Sequence, residues 1–123
     1  MTGPARPRQV DLFAGVSVSD LDAAKDWYAR LLGTDEAFRP NDTEIVWELA
    51  EHRFLYVERR PEHAGHSLQT LFVEDFDAFV AGVSGRGIEP TTRETYENGV
   101  RKHTYRDPDG NAIGIGGGPA EVT

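Results

Sequence analysis

The most constraining feature of this sequence is a single internal repeat. The stretch "VSDLDA" at 18–23 recurs as "VEDFDA" at 73–78, an offset of 55 residues, with the valine, both aspartates and the alanine unchanged. Self-similarity at a fixed period of this length indicates a duplicated supersecondary unit. Two such units account for nearly all of the 123-residue chain.

In each copy, the repeated motif joins an alternating strand to an amphipathic helix. "DLFAGVSVSD" and "LQTLFVED" alternate with period two, whereas "LDAAKDWYARLLG" and "DFDAFVAGVSGRG" place apolar residues at helical spacing. Ser19 and Asp20 offer an N-cap for the first helix, and Gly33 supplies its C-terminal stop. Three strands are predicted after each helix, in "EAFRP", "TEIVWELAE" and "RFLYVER", then in "IEPTTRETYENGV", "RKHTYRD" and "NAIGIGG". The pattern predicts an α+β fold of two tandem β-α-β-β-β modules.

The two predicted modules leave short segments at both ends of the chain. Residues 1–9 are rich in proline and arginine and predict a flexible arm, and 118–123 are expected to form a tail. Between these segments we expect one domain over 10–117, with module one at 10–60 and module two at 66–117. The stretch "RRPEHAGH" breaks the alternating pattern and predicts the linker between the modules.

Composition and charge exclude several classes of function. The chain has no cysteine, which excludes disulfides and thiolate metal sites. Its net charge of −8 comes from scattered acidic residues and argues against a nucleic-acid partner, because such a partner needs a basic face. The sequence lacks the apolar run of a signal peptide or a membrane span, so we expect a cytoplasmic protein with no membrane partner.

The stretches "VSVSDLDAAKDWYARLLG" and "YRDPDGNAIGI", together with the second helix start "VEDFDA", carry a family resemblance. The chain resembles the vicinal-oxygen-chelate superfamily, also called the glyoxalase/bleomycin-resistance/dioxygenase group, over residues 10–117. The resemblance implies two paired modules whose curved sheets form a cleft, with the helices packed outside. It also implies a homodimer, because many members complete their clefts by exchanging or pairing modules between chains.

The resemblance further implies where a metal would bind, and the residues at those positions do not suit one. Enzymes of the superfamily hold a divalent metal with His, Gln or Glu from the first strand of each module and from the last strand. The matching positions are Phe13, Leu68 and Gly114, whose side chains carry no metal donor. We therefore expect neither a metal nor another cofactor. A rebuilt site would need three convergent donors among the remaining candidates, which are His52, His63, His66, His103, Glu48 and Glu58.

Without a metal, the cleft is expected to be apolar and aromatic, as small-molecule sites usually are. The resemblance implies that Phe13, Leu68 and Gly114 face the cleft, and alternation along the strands adds Gly15, Ser17, Thr70 and Phe72. The further predicted ligand-binding residues are Trp47, Tyr56, His103 and Tyr105. The orientation of Trp47 and Tyr56 stays open between the cleft and the helix layer, because the sequence does not fix the parity of their strands. In an alternative interpretation, Phe13 and Leu68 close a vestigial cleft.

The residues favour a metal-independent protein that sequesters a small drug-like or natural-product molecule, as bleomycin-resistance-type members do. An aromatic or cationic ligand is expected, since flat aromatic side chains stack on both and the net charge is acidic. The alternative is a lyase, isomerase or dioxygenase relative with a non-standard metal or acid–base site, for which His103, Tyr105 and Glu58 are the candidate catalytic residues. A third alternative is an interaction or regulatory subunit with a closed cleft.

Overall fold

The structure, a computed structural model, describes residues 9–120 and confirms the predicted order of strands and helices. Residues 1–8 and 121–123, which hold most of the predicted arm and part of the predicted tail, lie outside the described residues. A short 3-10 helix, Pro61–His63, lies in the linker, where the sequence predicts no element. The elements are β1 (Leu12–Val18), α1 (Leu21–Leu32), β2 (Phe38–Asn41), β3 (Glu44–Ala50), β4 (Arg53–Arg59), β5 (Leu68–Phe72), α2 (Phe76–Gly85), β6 (Thr92–Thr95), β7 (Arg101–Arg106) and β8 (Ala112–Gly117).

The two modules have the same strand topology, as the sequence repeat requires. The strand order is β1-β4-β3-β2 in the first sheet and β5-β8-β7-β6 in the second. In each sheet the first and last strands of the module pair in parallel, and the remaining pairs are antiparallel. The register places Gly15 opposite Tyr56 in module one and Thr70 opposite Gly114 in module two. These two pairs therefore occupy equivalent positions in the duplicated fold.

One helix covers one face of each sheet. The side chain of Asp20 accepts a hydrogen bond from the Ala23 N–H at 3.0 Å and caps the start of α1. Gly33 ends α1 in the left-handed conformation, with φ at 77°. The apolar sides of both helices pack on the sheets to form one core, with Trp27, Tyr28 and Leu31 from α1 and Phe76 and Val83 from α2. The opposite side of each sheet has no helix, and we call it the open face.

Asn111 joins the two modules from a fully buried position between β7 and β8. Its side-chain oxygen accepts hydrogen bonds from the N–H groups of Gly65 and Ser67, at 3.1 and 2.9 Å. Its amide nitrogen donates to the Ser17 carbonyl in β1 at 2.8 Å and to the Asp107 carboxylate at 2.9 Å. One side chain thus ties the linker, the first module and the last turn together.

A second buried contact connects α1 to the same turn. The Tyr28 hydroxyl donates a hydrogen bond of 2.8 Å to the carboxylate of Asp107, and both residues are buried. Burial first, and then the Asp107 charge, raise the pKa of Tyr28 far above its ordinary value, so the phenol keeps its proton.

A hydrogen bond also joins β5 to β1, because the Gln69 side-chain amide donates to the Gly15 carbonyl at 3.0 Å. The edges of β1 and β5 therefore lie side by side.

The two helices lie on the same side of this double sheet. The Arg86 guanidinium, just after α2, donates a hydrogen bond of 2.5 Å to the Arg30 carbonyl in α1. Because the helices adjoin and β1 lies beside β5, the two open faces lie on the other side and adjoin along those strands. No helix in residues 9–120 is long and apolar enough to span a membrane.

Replacing Asn111 with alanine should destabilise the fold by about 3 kcal/mol or more, because several buried backbone and carboxylate groups lose their partner at once. Thermal and urea unfolding measure the free energy of unfolding. Asn98→Ala, which removes one exposed hydrogen bond to the Val100 N–H, is the matched control and should cost under about 1 kcal/mol. Equal losses in the two variants would contradict the joining role of Asn111.

Two glycines in β8 should respond differently to alanine. A Cβ on Gly117 would lie 2.9 Å from Phe76 Cγ, and Phe76 is buried at the start of α2, where it has little freedom to move. A Cβ on Gly114 would lie 2.6 Å from Lys102 Cε, which belongs to a flexible side chain. We expect Gly117→Ala to cost about 2 kcal/mol or more and Gly114→Ala under about 1 kcal/mol, measured by urea unfolding. The reverse order would contradict this packing.

Candidate functional site

Three aromatic side chains form the centre of the open face in module one. Phe13 in β1 stacks on Phe54 in β4, with ring centroids 4.4 Å apart and planes inclined by 9°. Tyr56 lies edge-on to Phe13, at a centroid distance of 6.4 Å. A Cβ on Gly15 would lie 2.7 Å from the Tyr56 hydroxyl oxygen, so the glycine leaves the room that the phenol occupies. We call Phe54, Phe13 and Tyr56 the aromatic ladder.

The open face of module two combines exposed apolar side chains with a floor of small residues. Leu68 and Phe72 in β5 are 67% and 69% exposed, and Thr70 lies between them. On β8 the same face carries Ala112, Gly114 and Gly116, opposite those three residues. The side chain of Lys102 in β7 extends over Gly114. An open apolar surface with one ammonium group thus continues from the aromatic ladder.

The structure places Phe13, Gly15, Ser17, Leu68, Thr70, Phe72 and Gly114 on the open face, the orientation that the sequence predicts. Tyr56, whose orientation the sequence leaves open, also lies on this face. Of the two orientations that the sequence leaves open for Trp47, the structure shows the one toward the helix layer, so Trp47 does not belong to the predicted ligand-binding set. Trp47 is fully buried, its indole N–H donates to the Thr34 carbonyl at 3.3 Å, and its ring lies 6.1 Å from that of Tyr28. The reason is register, because Trp47 lies opposite Leu55, and Leu55 belongs to the core beneath α1.

The expected orientation is wrong for His103 and Tyr105. They lie opposite Ile115 and Ile113, which are core residues, so all four side chains point to the helix side of the sheet. Tyr105 is buried, and burial raises the pKa of its phenol. The His103 ring packs edge-on against Phe76 at 4.9 Å. Of the three candidate catalytic residues, only Glu58, opposite Ser17, faces the open side.

His103 carries a buried nitrogen, Nδ1, that has no hydrogen-bond partner among the described residues. Burial lowers the pKa of this imidazole, and the nearby charges of Arg93 and Arg101 lower it further. The imidazole is therefore neutral at pH 7 and acts as part of the helix-side packing. A proton donor or acceptor for the open face has to come from elsewhere.

A cavity that the sequence does not predict lies at the junction of the two modules. It measures about 510 Å³ and is lined by Leu12 and Ala14 of module one and by Leu71, Val73 and Phe79 of module two. Trp47, Thr70 and Phe72 also border it. We call it the seam cavity. Its shape depends on how the modules meet, which no pattern within one module reveals.

Two further residues of the open face were missed by the sequence reasoning. Phe54 shares the parity of Tyr56 in β4, so alternation could have found it once Tyr56 was placed. No sequence pattern predicts the position of Lys102 over Gly114. In the pairing of β7 with β8, Lys102 lies opposite Gly116, and its side chain reaches Gly114. This contact therefore depends on a strand pairing that the sequence does not reveal.

A model of the Glyoxalase/Bleomycin resistance protein/Dioxygenase superfamily matches residues 9–115. The chain belongs to this superfamily. A solved glyoxalase/bleomycin resistance protein from Catenulispora acidiphila DSM 44928 is similar at 56% identity, with a TM-score of 0.87, and the match covers 90% of this chain and 100% of that one. No curated protein sequence matches the chain.

More distant superfamily structures share the fold at low identity. A lactoylglutathione lyase from Agrobacterium tumefaciens is 20% identical, with a TM-score of 0.74, covering 92% of this chain and 96% of that one. A bleomycin-binding protein complexed with bleomycin is 18% identical, with a TM-score of 0.71, covering 92% of this chain and 100% of that one. Because one is a lyase and the other a binding protein, the shared fold does not select between these functions.

The three positions where the superfamily resemblance implies metal ligands lie on the open face, and their residues do not fit a metal. Phe13 and Leu68 offer only carbon atoms, and Gly114 has no side chain. The Lys102 ammonium lies beside Gly114 and would repel a cation at that point. Across residues 9–120 there is no group of three or more His, Asp or Glu side chains that could hold a metal. The alternative donors are dispersed: His52 pairs with Asp11 in a hairpin, and His63 and His66 are exposed in the linker.

His103 makes the stability of this superfamily member depend on pH. The folded state binds the imidazole proton less tightly than the unfolded chain, whose histidine pKa is about 6.5. The stability that the neutral imidazole contributes is full above that pKa and is lost as the pH falls below it. His103→Leu should therefore lose less stability than the unmodified protein between about pH 7 and about pH 5, as measured by urea unfolding. Parallel stability curves would contradict the lowered pKa.

Proposed function

We propose that this protein binds a small aromatic molecule on the open face and sequesters it without a metal or a chemical step. The exposed aromatic ladder carries this proposal. Phe13 is 49% exposed although it stacks on Phe54, so one side of a preassembled aromatic surface faces solvent. Planar molecules stack on such a surface, and the rings are already held in place before the ligand arrives.

The residues around the ladder support an open binding surface and not a cleft closed by its own side chains. Leu68 and Phe72 on module two stay largely exposed beside it, and exposed apolar patches on folded proteins mark interaction or ligand sites. A vestigial cleft closed by its own side chains would bury these residues. The interpretation as a closed interaction or regulatory subunit is therefore disfavoured.

The enzyme alternative has less support in the structure. Acid–base catalysis needs donors and acceptors within reach of one substrate, and two of the three candidates lie on the helix side. Glu58 alone faces the open side, so no acid–base pair is assembled there among the three candidates. The bleomycin-binding relative gives a precedent for binding in the superfamily, and the lyase relative a precedent for catalysis.

A homodimer, a cytoplasmic location and a role in resistance to a drug-like or natural-product molecule belong to the same proposal. The dimer is what the superfamily resemblance implies, since many members complete their clefts between chains. Resistance would follow from sequestration, since a bound molecule is unable to reach its target.

The test is a titration of the protein, purified in the presence of a chelator, with N-phenylnaphthylamine, an uncharged aromatic dye that fluoresces in apolar surroundings. We expect saturable binding of one dye per chain. Phe13→Ala removes the centre of the ladder and should weaken binding by about tenfold, because a stacked aromatic pair is lost.

Two variants control for the position of the dye. Tyr96→Ala removes an exposed aromatic ring between β6 and β7, away from the ladder, and should leave binding unchanged. Phe79→Ala enlarges the seam cavity and should also have little effect. The proposal fails if the dye does not saturate, if binding requires a divalent metal, or if Phe79→Ala weakens binding more than Phe13→Ala.

A further inference from the structure

The Lys102 side chain occupies the space beside the last strand that Gly114 leaves open. A Cβ on Gly114 would lie 2.6 Å from Lys102 Cε, 3.5 Å from Lys102 Nζ and 3.3 Å from the Thr70 hydroxyl oxygen. The ammonium and this hydroxyl therefore converge on one point of the open face. Because the residue at 114 is glycine, the lysine stem can lie flat across β8.

The Lys102 side chain points toward β8, although a carboxylate is available on β6, the other neighbour of its strand. Glu94 in β6 lies directly opposite Lys102, and such cross-strand pairs commonly form ion pairs. Here the lysine extends away from β6 and over β8. No carboxylate oxygen in residues 9–120 lies within 4.0 Å of its ammonium. The positive charge is thus directed at the small-residue floor of the face.

Equivalent positions on the open faces of the two modules carry charges of opposite sign. Glu44 occupies in module one the position that Lys102 occupies in module two, since Glu44 lies opposite Glu58 and Lys102 lies opposite Gly116. Module one therefore combines the aromatic ladder with carboxylates, and the centre of module two carries an ammonium. The net charge of −8 favours cations at long range, but contacts at the site depend on the nearest charge.

We propose that Lys102 and Thr70 form an anion subsite, so that the ligand is an aromatic molecule carrying a carboxylate, sulfonate or similar anionic group. This inference rests on the aromatic binding proposed above. The aromatic part of the ligand stacks on the ladder. Its anionic group accepts hydrogen bonds from the Lys102 ammonium and the Thr70 hydroxyl across the junction of β1 and β5. Hydrogen bonds in which both partners are charged are among the stronger ones in proteins.

Two dyes that differ by one anionic group test the inference. Anilinonaphthalenesulfonate is N-phenylnaphthylamine with a sulfonate added, and both report binding by fluorescence. We expect Lys102→Met to weaken binding of the sulfonate dye by about tenfold and to leave the uncharged dye within about twofold. Lys25→Met removes the other lysine of the chain, which is exposed on α1, and should change neither affinity.

A second variant reaches the same subsite without changing any charge. Gly114→Ala places a methyl group 2.6 Å from the present position of Lys102 Cε, so it should displace the ammonium and selectively weaken binding of the sulfonate dye. Added salt should weaken binding of the sulfonate dye to the unmodified protein and have a smaller effect in Lys102→Met.

The outcomes separate this inference from the proposal on which it rests. If neither dye binds saturably, the aromatic site itself is absent and both proposals fail. If both dyes bind but Lys102→Met affects them equally, the aromatic site stands and the anion subsite is wrong. If Lys25→Met weakens the sulfonate dye as much as Lys102→Met does, the effect comes from overall charge, and the subsite is again wrong.

Discussion

The arrangement of the whole protein depends on a small buried polar network at the end of β7. Asn111 and Asp107 lie in the turn before the last strand, and between them they bind the linker, β1 and α1. Buried polar groups are tolerated only when their hydrogen bonds are made, so each partner has a single permitted position. These directional hydrogen bonds set the position of module one relative to module two more precisely than non-directional apolar packing does. Without them, the two open faces would have no defined relation to each other.

The division between packing and binding surfaces follows from strand geometry. Successive side chains of a strand point to opposite faces, and one helix per module covers only one of them. The helix side receives the residues that need burial, such as Trp47 and Tyr105. The uncovered side is free to carry side chains that packing does not require, and here it carries the aromatic ladder. Because each sheet has two faces and each module has one helix, one face of each sheet stays uncovered, and in module one this face carries exposed aromatic residues.

Much of the fold could be predicted from the sequence, because the repeat and the alternation are both local signals. The face of Phe13 and Leu68 is predictable because the family resemblance sets their distance before a helix-capping aspartate. His103 and Tyr105 were misplaced because their parity is set across the turn at 107–111, where period-two counting does not continue. The orientation of Trp47 stays open in the sequence, because the parity of β3 depends on its pairing with β4 across a hairpin. The Lys102 contact and the seam cavity need the pairing of strands and modules, and these are not encoded in any single stretch.

The opposite charges at Glu44 and Lys102 have a consequence for orientation. A duplicated fold presents two related half-sites, and an elongated molecule lying across identical halves could bind equally well either way round. Replacing one member of an equivalent pair by a residue of opposite charge removes that degeneracy. A molecule with one charged end then has a single preferred direction, and its far end always meets the same residues. The internal repeat supplied the surface, and the charge difference, together with an aromatic ladder on module one only, gave it a polarity.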